Sequence, residues 1–548
     1  MGRELSRSEA ALAALGGLTL AVVMSWPLVL DLGSDVAKDL GDPLLQAWQV
    51  AWIGHALLEA PLDLWQANTF WPYEDTLAFS DALVGYAPAA LLSQASPHAA
   101  LVTYNTLFLL AYGLAFLGAY LLARELGIGW IGGAATGAAF AYAPWKLTQN
   151  GHLHVLSSGG IPLVLFLLVR GYRRRSGVTV LGGWLIAAWQ MTLGFTLGLQ
   201  LAYLLLVLVI VGIVAFWRGW LPQPDRRVLI ATSVGVVAFV VAAGLMARPY
   251  TRVLEAHPEA ERTPAYVETF SPRLRSFVAA PEESALWDDV THRARAPLPA
   301  PAEMSLFPGL AISLLALVGV LGSVLSRRLR IGLVVGIVVC ALLSLGVRDV
   351  EGLERYLTPY RFLFDFAPGW DGVRTPGRIN TLTSLGLALL AGAGLCAIVR
   401  SGWARGRGLA AAVGALGIAV ILLEGLGPLT HPRVPEPPAA VGREPGPQFH
   451  LPPTFDSGYS YWSTDGFPKI VNGFGGFDPA GYDALRREAA GFPDERSIAA
   501  LRELGVNTVL FHPELAADTS WQGVDRRPTA GLPVERALVD GVVVFRLR

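Results

Sequence analysis

The sequence predicts an α-helical polytopic membrane protein with eleven crossings, two juxtamembrane helices and a small C-terminal extracytoplasmic α/β domain. Three observations predict it. Charge is scarce: 16% of the 548 residues are Asp, Glu, Lys or Arg and 53% are hydrophobic, where a soluble chain carries about 25% charged residues. Apolar runs near the length of a bilayer crossing recur along most of the chain. Between them lie short loops rich in arginine, the pattern that orients spans with their basic loops in the cytoplasm.

The apolar runs fall at 10–30, 99–123, 129–146, 155–171, 178–196, 198–217, 228–247, 306–326, 331–347, 378–399 and 408–428. Arg3 and Arg7 precede the first, which reads as an anchor rather than a cleaved leader. A further run, 79–96, is short, starts near Asp81 and has Pro88 in its middle. If it crosses, the clusters Arg170–Arg175, Arg327–Arg330 and Arg400–Arg407 all fall outside. If it lies in the interface, they all fall inside with Arg124 and Arg218, and the acidic stretch 31–81 falls outside. The second arrangement is adopted. It puts the N-terminus in the cytoplasm and segments 31–98, 147–154, 248–305, 348–377 and the tail outside.

The expected domains are therefore a membrane domain over 1–428, a Pro-rich semi-rigid linker over 429–453 and a soluble domain over 454–548. In the last, ERSIAALRELG has helical periodicity, while VNTVLF and GVVVFRL read as buried strands. In the first outer loop, Asp42-Pro43 reads as an N-cap followed by a first-turn proline. The helix that follows places Leu44, Trp48, Trp52 and Leu58 on one face, suited to the headgroup layer. Segment 79–96 would be a second such helix. Cys340 and Cys396 both lie in apolar runs and offer neither a disulfide framework nor metal spacing. A net charge of -1 gives no reason to invoke nucleic acid.

Five segments carry a resemblance: LGDPLLQAWQVAW (40–52), NTFWPYEDTLAFSDALVG (68–85), FAYAPWKLTQNGHLHVLS (140–157), PYRFLFDFAPGWDGVRTPGR (359–378) and SGYSYWSTDGFPKIVNGFGGFDP (457–479). With one span before a long acidic outer loop, many spans after it and an outer soluble domain, the chain resembles the GT-C superfamily of membrane glycosyltransferases. That resemblance implies inverting transfer of a sugar from a polyprenyl-phosphate donor to a glycan, lipid or protein acceptor at the outer face of a bacterial cytoplasmic membrane. In many GT-C enzymes the first-loop motif is a pair of acidic residues; here Asp42 is followed by Pro43, with Asp39 three residues earlier.

The chemistry needs a carboxylate base and donors for the departing lipid phosphate. Asp42 is the expected base, with Asp39 second; Asp42 would equally serve any protein as a helix cap. His152 and His154, with Asn150 and Lys146 close by, form an ionisable group at the membrane edge and are expected to touch substrate. Their other reading is as polar turn residues with a snorkelling lysine. Arg374 and Arg378 suit a phosphate clamp, whereas Arg361 is expected either to anchor at the membrane edge or to pair with Asp365 or Asp371. No cofactor is expected. His-x-His supplies two metal ligands, so a divalent metal would need a third from Asp39, Asp42 or the long loops. The Gly-rich NGFGGF (472–477) lacks the strand-loop-helix context of a phosphate loop. The rival functions are a transporter or flippase, disfavoured because no inverted repeat is seen and span centres are nearly free of charge, and a non-catalytic scaffold.

Overall fold

A computed structural model describes residues 5–94, 96–220, 223–350, 357–401 and 407–548; Arg3 and Arg405 lie outside the described residues. Contacts divide the chain into two compact units. One comprises residues 1–29, 107–244 and 262–429, and the other 30–106, 245–261 and 430–548.

The apolar runs become helices: α1 (Arg7–Met24), α3 (Pro97–Glu125), α4 (Trp130–Ala141), α5 (Gly160–Arg174), α6 (Gly177–Thr192), α7 (Phe195–Trp217), α8 (Arg226–Ala256), α9 (Leu310–Leu321), α10 (Arg327–Ser344), α11 (Asn380–Arg400) and α12 (Arg407–Glu424), while α2 (Asp42–Glu59) belongs to the first long loop. Among the described residues, six helical stretches are long and apolar enough to cross a membrane: Arg7–Met24, Pro97–Glu125, Leu153–Arg174, Phe195–Trp217, Arg226–Ala256 and Pro376–Arg400. The other expected crossings are shorter, such as α4 and α9 at 12 residues each, or open on arginines, as α10 does. The exposed faces of α7 and α8 carry Val207, Ile210, Val211, Val237 and Val241, as a lipid-facing surface requires.

Within the first unit α11 is the hub, touching α4, α9, α10 and α12. Small residues allow this. A Cβ on Gly394 would lie 1.9 Å from the Leu315 carbonyl oxygen, and one on Gly392 would lie 2.3 Å from that of Gly132. Backbones this close gain dispersion contacts where no hydrophobic effect acts between helices.

The second unit is built from three separated pieces of sequence. Its sheet has the order β1-β2-β4-β3, with β1 (Gln448–Leu451) parallel to β2 (Thr508–Phe511), β2 antiparallel to β4 (Val542–Leu547), and β4 antiparallel to β3 (Val534–Val539). The β1–β2 crossover carries α13 (Asp456–Trp462), α14 (Ala480–Ala489) and α15 (Glu495–Glu503). The β3–β4 hairpin turns on Asp540-Gly541, both at positive φ, as a two-residue type I′ turn demands. Phe70 and Phe79 of the first loop and Val253 at the end of α8 share one core with Phe449, Phe492, Phe511 and Phe545. Backbone bonds join the pieces: Phe70 N–H to Asn472 O (3.1 Å), Ile470 N–H to Asn68 O (2.8 Å) and Lys38 N–H to Thr430 O (2.8 Å). Arg252 pairs with Asp75 at 2.7 Å.

Several expectations differ from what is observed. Strand β1 lies inside the stretch read as a linker, and residues 430–434 bond to 34–38 instead of hanging free. Prolines flank β1 without interrupting it, and that position is tolerated at a strand end. Helix α2 is not a headgroup-layer helix. Leu44 through Gly54 are buried, and its polar groups find protein partners: Trp48 Nε1 donates to Asn68 Oδ1 at 2.9 Å, Trp52 Nε1 to Leu64 O at 2.8 Å and Gln49 Nε2 to Asp81 O at 3.1 Å. Asp42 is the first helical residue and Gly41 the N-cap, with no side-chain cap. Among the described residues of segment 79–96 the longest helical run is Val84–Ser93; ten residues rise about 15 Å, half a hydrocarbon core.

A buried polar network sits in the tail. His450 Nδ1 and His512 Nε2 are 3.0 Å apart, and Asn472 bridges His450 to Asp456, which also accepts from the Tyr482 hydroxyl at 2.9 Å. Burial holds His512 down at about 3 and pushes Asp456 up to about 6.

Two predictions follow from this packing. Gly394→Val forces α9 and α11 apart and should lower the thermal unfolding midpoint in detergent, with a cost on the order of 1–3 kcal/mol; an unchanged midpoint would show that the helices are not that close. A histidine depressed in the folded state contributes stability that is present above its unfolded pKa near 6.5 and lost as pH falls toward 3. Acidification from pH 7.5 to 5 should therefore loosen the second unit by on the order of 2 kcal/mol from His512, partly offset by Asp456, whose raised pKa acts in the opposite sense. Proteolysis of the tail across that range measures it, and His512→Asn should flatten the profile.

Candidate functional site

After α4 ends at Ala141 the chain tightens into a 3-10 turn, Pro144–Gly151, and a short helical turn, Leu153–Leu156. This puts His152 and His154 at the end of a span. Two further turns, Pro301–Met304 ahead of α9 and Pro376–Ile379 ahead of α11, present Glu303 and Arg378. All belong to the first unit, and the fold joins them. Arg378 donates from Nη2 to Glu303 Oε1 (2.6 Å), from Nε to Glu303 Oε2 (3.3 Å) and from Nη1 to His154 Nε2 (2.9 Å). Guanidinium has no acceptor, so His154 Nε2 offers its lone pair, and a neutral ring then carries its proton on Nδ1. His152 Nε2 lies 4.0 Å from Glu303 Oε1, while its Nδ1 donates to Gln149 Oε1 at 3.0 Å.

Glu303 is the centre of this cluster, and sequence reasoning missed it. It sits in a long loop with many other carboxylates, and no spacing marks it. Burial alone would raise its pKa; the Arg378 guanidinium, His152 and Arg374 overcome that and hold it at about 2. The carboxylate is therefore charged at neutral pH and faces the His152 imidazole.

The other expected residues fall as follows. Arg374 acts on Glu303 through its charge and lies with its guanidinium 5.2 Å from the Phe270 ring centroid. Arg361 is taken by Asp365, at 2.9 and 3.1 Å to the two carboxylate oxygens. Lys146 and Asn150 make their contacts elsewhere: Lys146 Nζ with Ser158 Oγ at 3.2 Å, and Asn150 Oδ1 with the Tyr112 hydroxyl. Asp39 and Asp42 belong to the second unit. There Asp39 Oδ1 accepts from Gly41 N–H at 2.8 Å, and both carboxylates act electrostatically on the buried Tyr104 phenol. Ser457 Oγ donates to Leu40 O at 2.8 Å, which fixes the tail helix α13 against the turn that carries the two aspartates.

Among the described residues no group of three His, Cys, Asp or Glu side chains is placed to hold a metal ion. His152, His154 and Glu303 are suitable in kind, but Arg378 occupies both His154 Nε2 and the Glu303 carboxylate. Because its fork is turned on Glu303, Arg378 meets a phosphate only in competition with that carboxylate. Arg374 is the less committed cation.

Removing one partner of a buried ion pair leaves the other charged and unpaired. Arg378→Met should therefore destabilise the first unit by about 3–5 kcal/mol, and the double variant Glu303→Gln/Arg378→Met by much less. Chemical denaturation of both in detergent tests the coupling, and equal losses would refute it.

No protein-family model matches the sequence, and no curated protein matches it. Solved structures do match in fold. The arabinofuranosyltransferase AftD from Mycobacteria is similar over 100% of this chain, at 16% identity and a TM-score of 0.59; its R1389S mutant aligns at 15% and 0.55. The chain spans about two fifths of AftD, 40% and 42% in the two structures. The oligosaccharyltransferase AglB from Archaeoglobus fulgidus, solved with an inhibitory peptide and a dolichol-phosphate, aligns over 99% of this chain and 74% of its own, at 14% identity and a TM-score of 0.45. Along its whole length the chain is thus similar in fold to the arabinofuranosyltransferase AftD.

Proposed function

We propose that the protein is a glycosyltransferase of a bacterial cytoplasmic membrane that moves a sugar from a polyprenyl-phosphate carrier to an acceptor outside the cell, with inversion. The observation that carries this reading is the whole-chain likeness to AftD. It is supported by the charged cluster at a span edge, where chemistry on a lipid-borne substrate would occur. In the proposed topology the chain crosses eleven times, with its N-terminus inside and its tail outside.

The acceptor hydroxyl attacks the anomeric carbon from the face opposite the phosphate. Its proton passes to Asp42, or to Asp39 as second choice, as the bond to the phosphate oxygen breaks. The lipid phosphate leaves with its charge met by Arg374. His152 and His154, held by Glu303 and Arg378, contact acceptor or donor hydroxyls. The tail, tied to the Asp39–Asp42 turn by Ser457, borders the base and helps bind the acceptor.

A general base contributes about 10²–10⁴-fold. Asp42→Asn should lower transfer of a radiolabelled sugar from a polyprenyl-phosphate donor in membranes by that factor at unchanged expression; full turnover would sink the assignment. Single cysteines placed at exposed positions of 31–98, such as Leu62 and Glu74, should react with an impermeant maleimide from outside, and labelling from the cytoplasmic side alone would overturn the topology.

A further inference from the structure

Lys146 is 2% exposed, yet among the described residues it pairs with no carboxylate. Its ammonium has only the Ser158 hydroxyl, at 3.2 Å, and the face of the Phe140 ring, 4.5 Å from its centroid. A buried cation without an anion is costly. Next to it lies a crevice of the first unit, bounded by the C-terminal ends of α1 and α12, the first half of α3 and the turn after α4. Lys146, Tyr142, Asn150 and Tyr112 line one part of it, while Met24 and Phe108 line another.

The polar end offers donors and little else. The Tyr142 hydroxyl is buried and has no hydrogen-bond partner among the described residues. Its ring is stacked on Tyr112, 5.2 Å between centroids and parallel. Tyr112 gives its proton to Asn150 Oδ1, so the carbonyl of that amide is taken while its N–H₂ is uncommitted. An ammonium, a phenol and an amide then face one space, which suits an anion rich in acceptor oxygens. Depth selects the source. Trp26, two residues beyond the end of α1, is 58% exposed, as a tryptophan at headgroup level would be, and Val23 beside it is bare.

We propose that this crevice binds the phosphate headgroup of an anionic membrane lipid. Lys146 is its counter-ion, Tyr142 and Asn150 are its neutral donors, and Met24 and Phe108 are the wall along which an acyl chain begins. Neither Glu303, Arg378 nor His154 lines this crevice, and the proposal stands whether or not the chain transfers sugar.

The test uses the full chain in dodecyl maltoside with phosphatidylglycerol, phosphatidylcholine or inorganic phosphate added. Phosphatidylglycerol should raise the thermal midpoint of the wild type more than phosphatidylcholine does. Its half-saturating concentration should rise about tenfold in Lys146→Met and in Tyr142→Phe, the loss expected for one charge-assisted hydrogen bond. Without lipid, Lys146→Met should melt no lower than the wild type, because it removes an unpaired charge. If that variant fails to fold, Tyr142→Phe, which deletes only an unbonded hydroxyl, decides. Equal half-saturation in wild type and variants would place the lipid on the basic loops and overturn the proposal. So would the absence of any shift, or an equal shift from inorganic phosphate alone.

Discussion

A carboxylate and a guanidinium taken out of water must find each other, and in the first unit that requirement fixes where two helices begin. Glu303 stands ahead of α9 and Arg378 ahead of α11. Farther along, the same two helices meet backbone to backbone at Leu315 and Gly394. The ion pair and the glycine contact therefore hold one helix pair at two levels. His154 is captured by the third arm of the guanidinium, and His152 is left facing the carboxylate. A site assembled from three distant loops thus depends on one pair of charges. Its rigidity comes from burial: the Arg378 and Glu303 side chains are 7% and 10% exposed, so little water competes for them.

The apolar runs were legible because a bilayer imposes a length and forbids charge, and both constraints are written locally. His152, His154 and Arg378 were legible for a related reason: ionisable groups at a span edge are conspicuous against an apolar background. Glu303 was not, because it is one carboxylate among many in a polar loop, and only the fold distinguishes the one that meets Arg378. Helix α2 was misplaced by its composition. A face of Leu and Trp suits a membrane surface and a protein interior equally, and the choice depends on partners such as Asn68 and Asp81, 20 and 32 residues farther on, beyond the reach of helical periodicity. Strand β1 was hidden by prolines, which signal an open spacer when counted but cap a strand when they fall at its ends.

The second unit shows the same dependence on distant sequence in its backbone. Ladder bonds pass between residues about 400 positions apart, as between Asn68 and Ile470. Its core takes aromatic rings from the first loop, one residue from the end of α8 and most of its mass from the tail. The buried histidines and Asp456 lie in this composite, and Asp456 is on α13, the helix hydrogen-bonded to the Asp39–Asp42 turn.

That construction sets an order of events during synthesis. Phe70 and Phe79 leave the ribosome long before Phe449, Phe511 and Phe545 exist. At roughly 5–20 residues per second, the intervening stretch takes tens of seconds to emerge. Through that interval the first loop has aromatic side chains and strand-like backbone with nothing to close over them. An open hydrophobic surface of that kind is what chaperones and neighbouring chains recognise. The helices of the first unit must therefore form while the second unit is only half made.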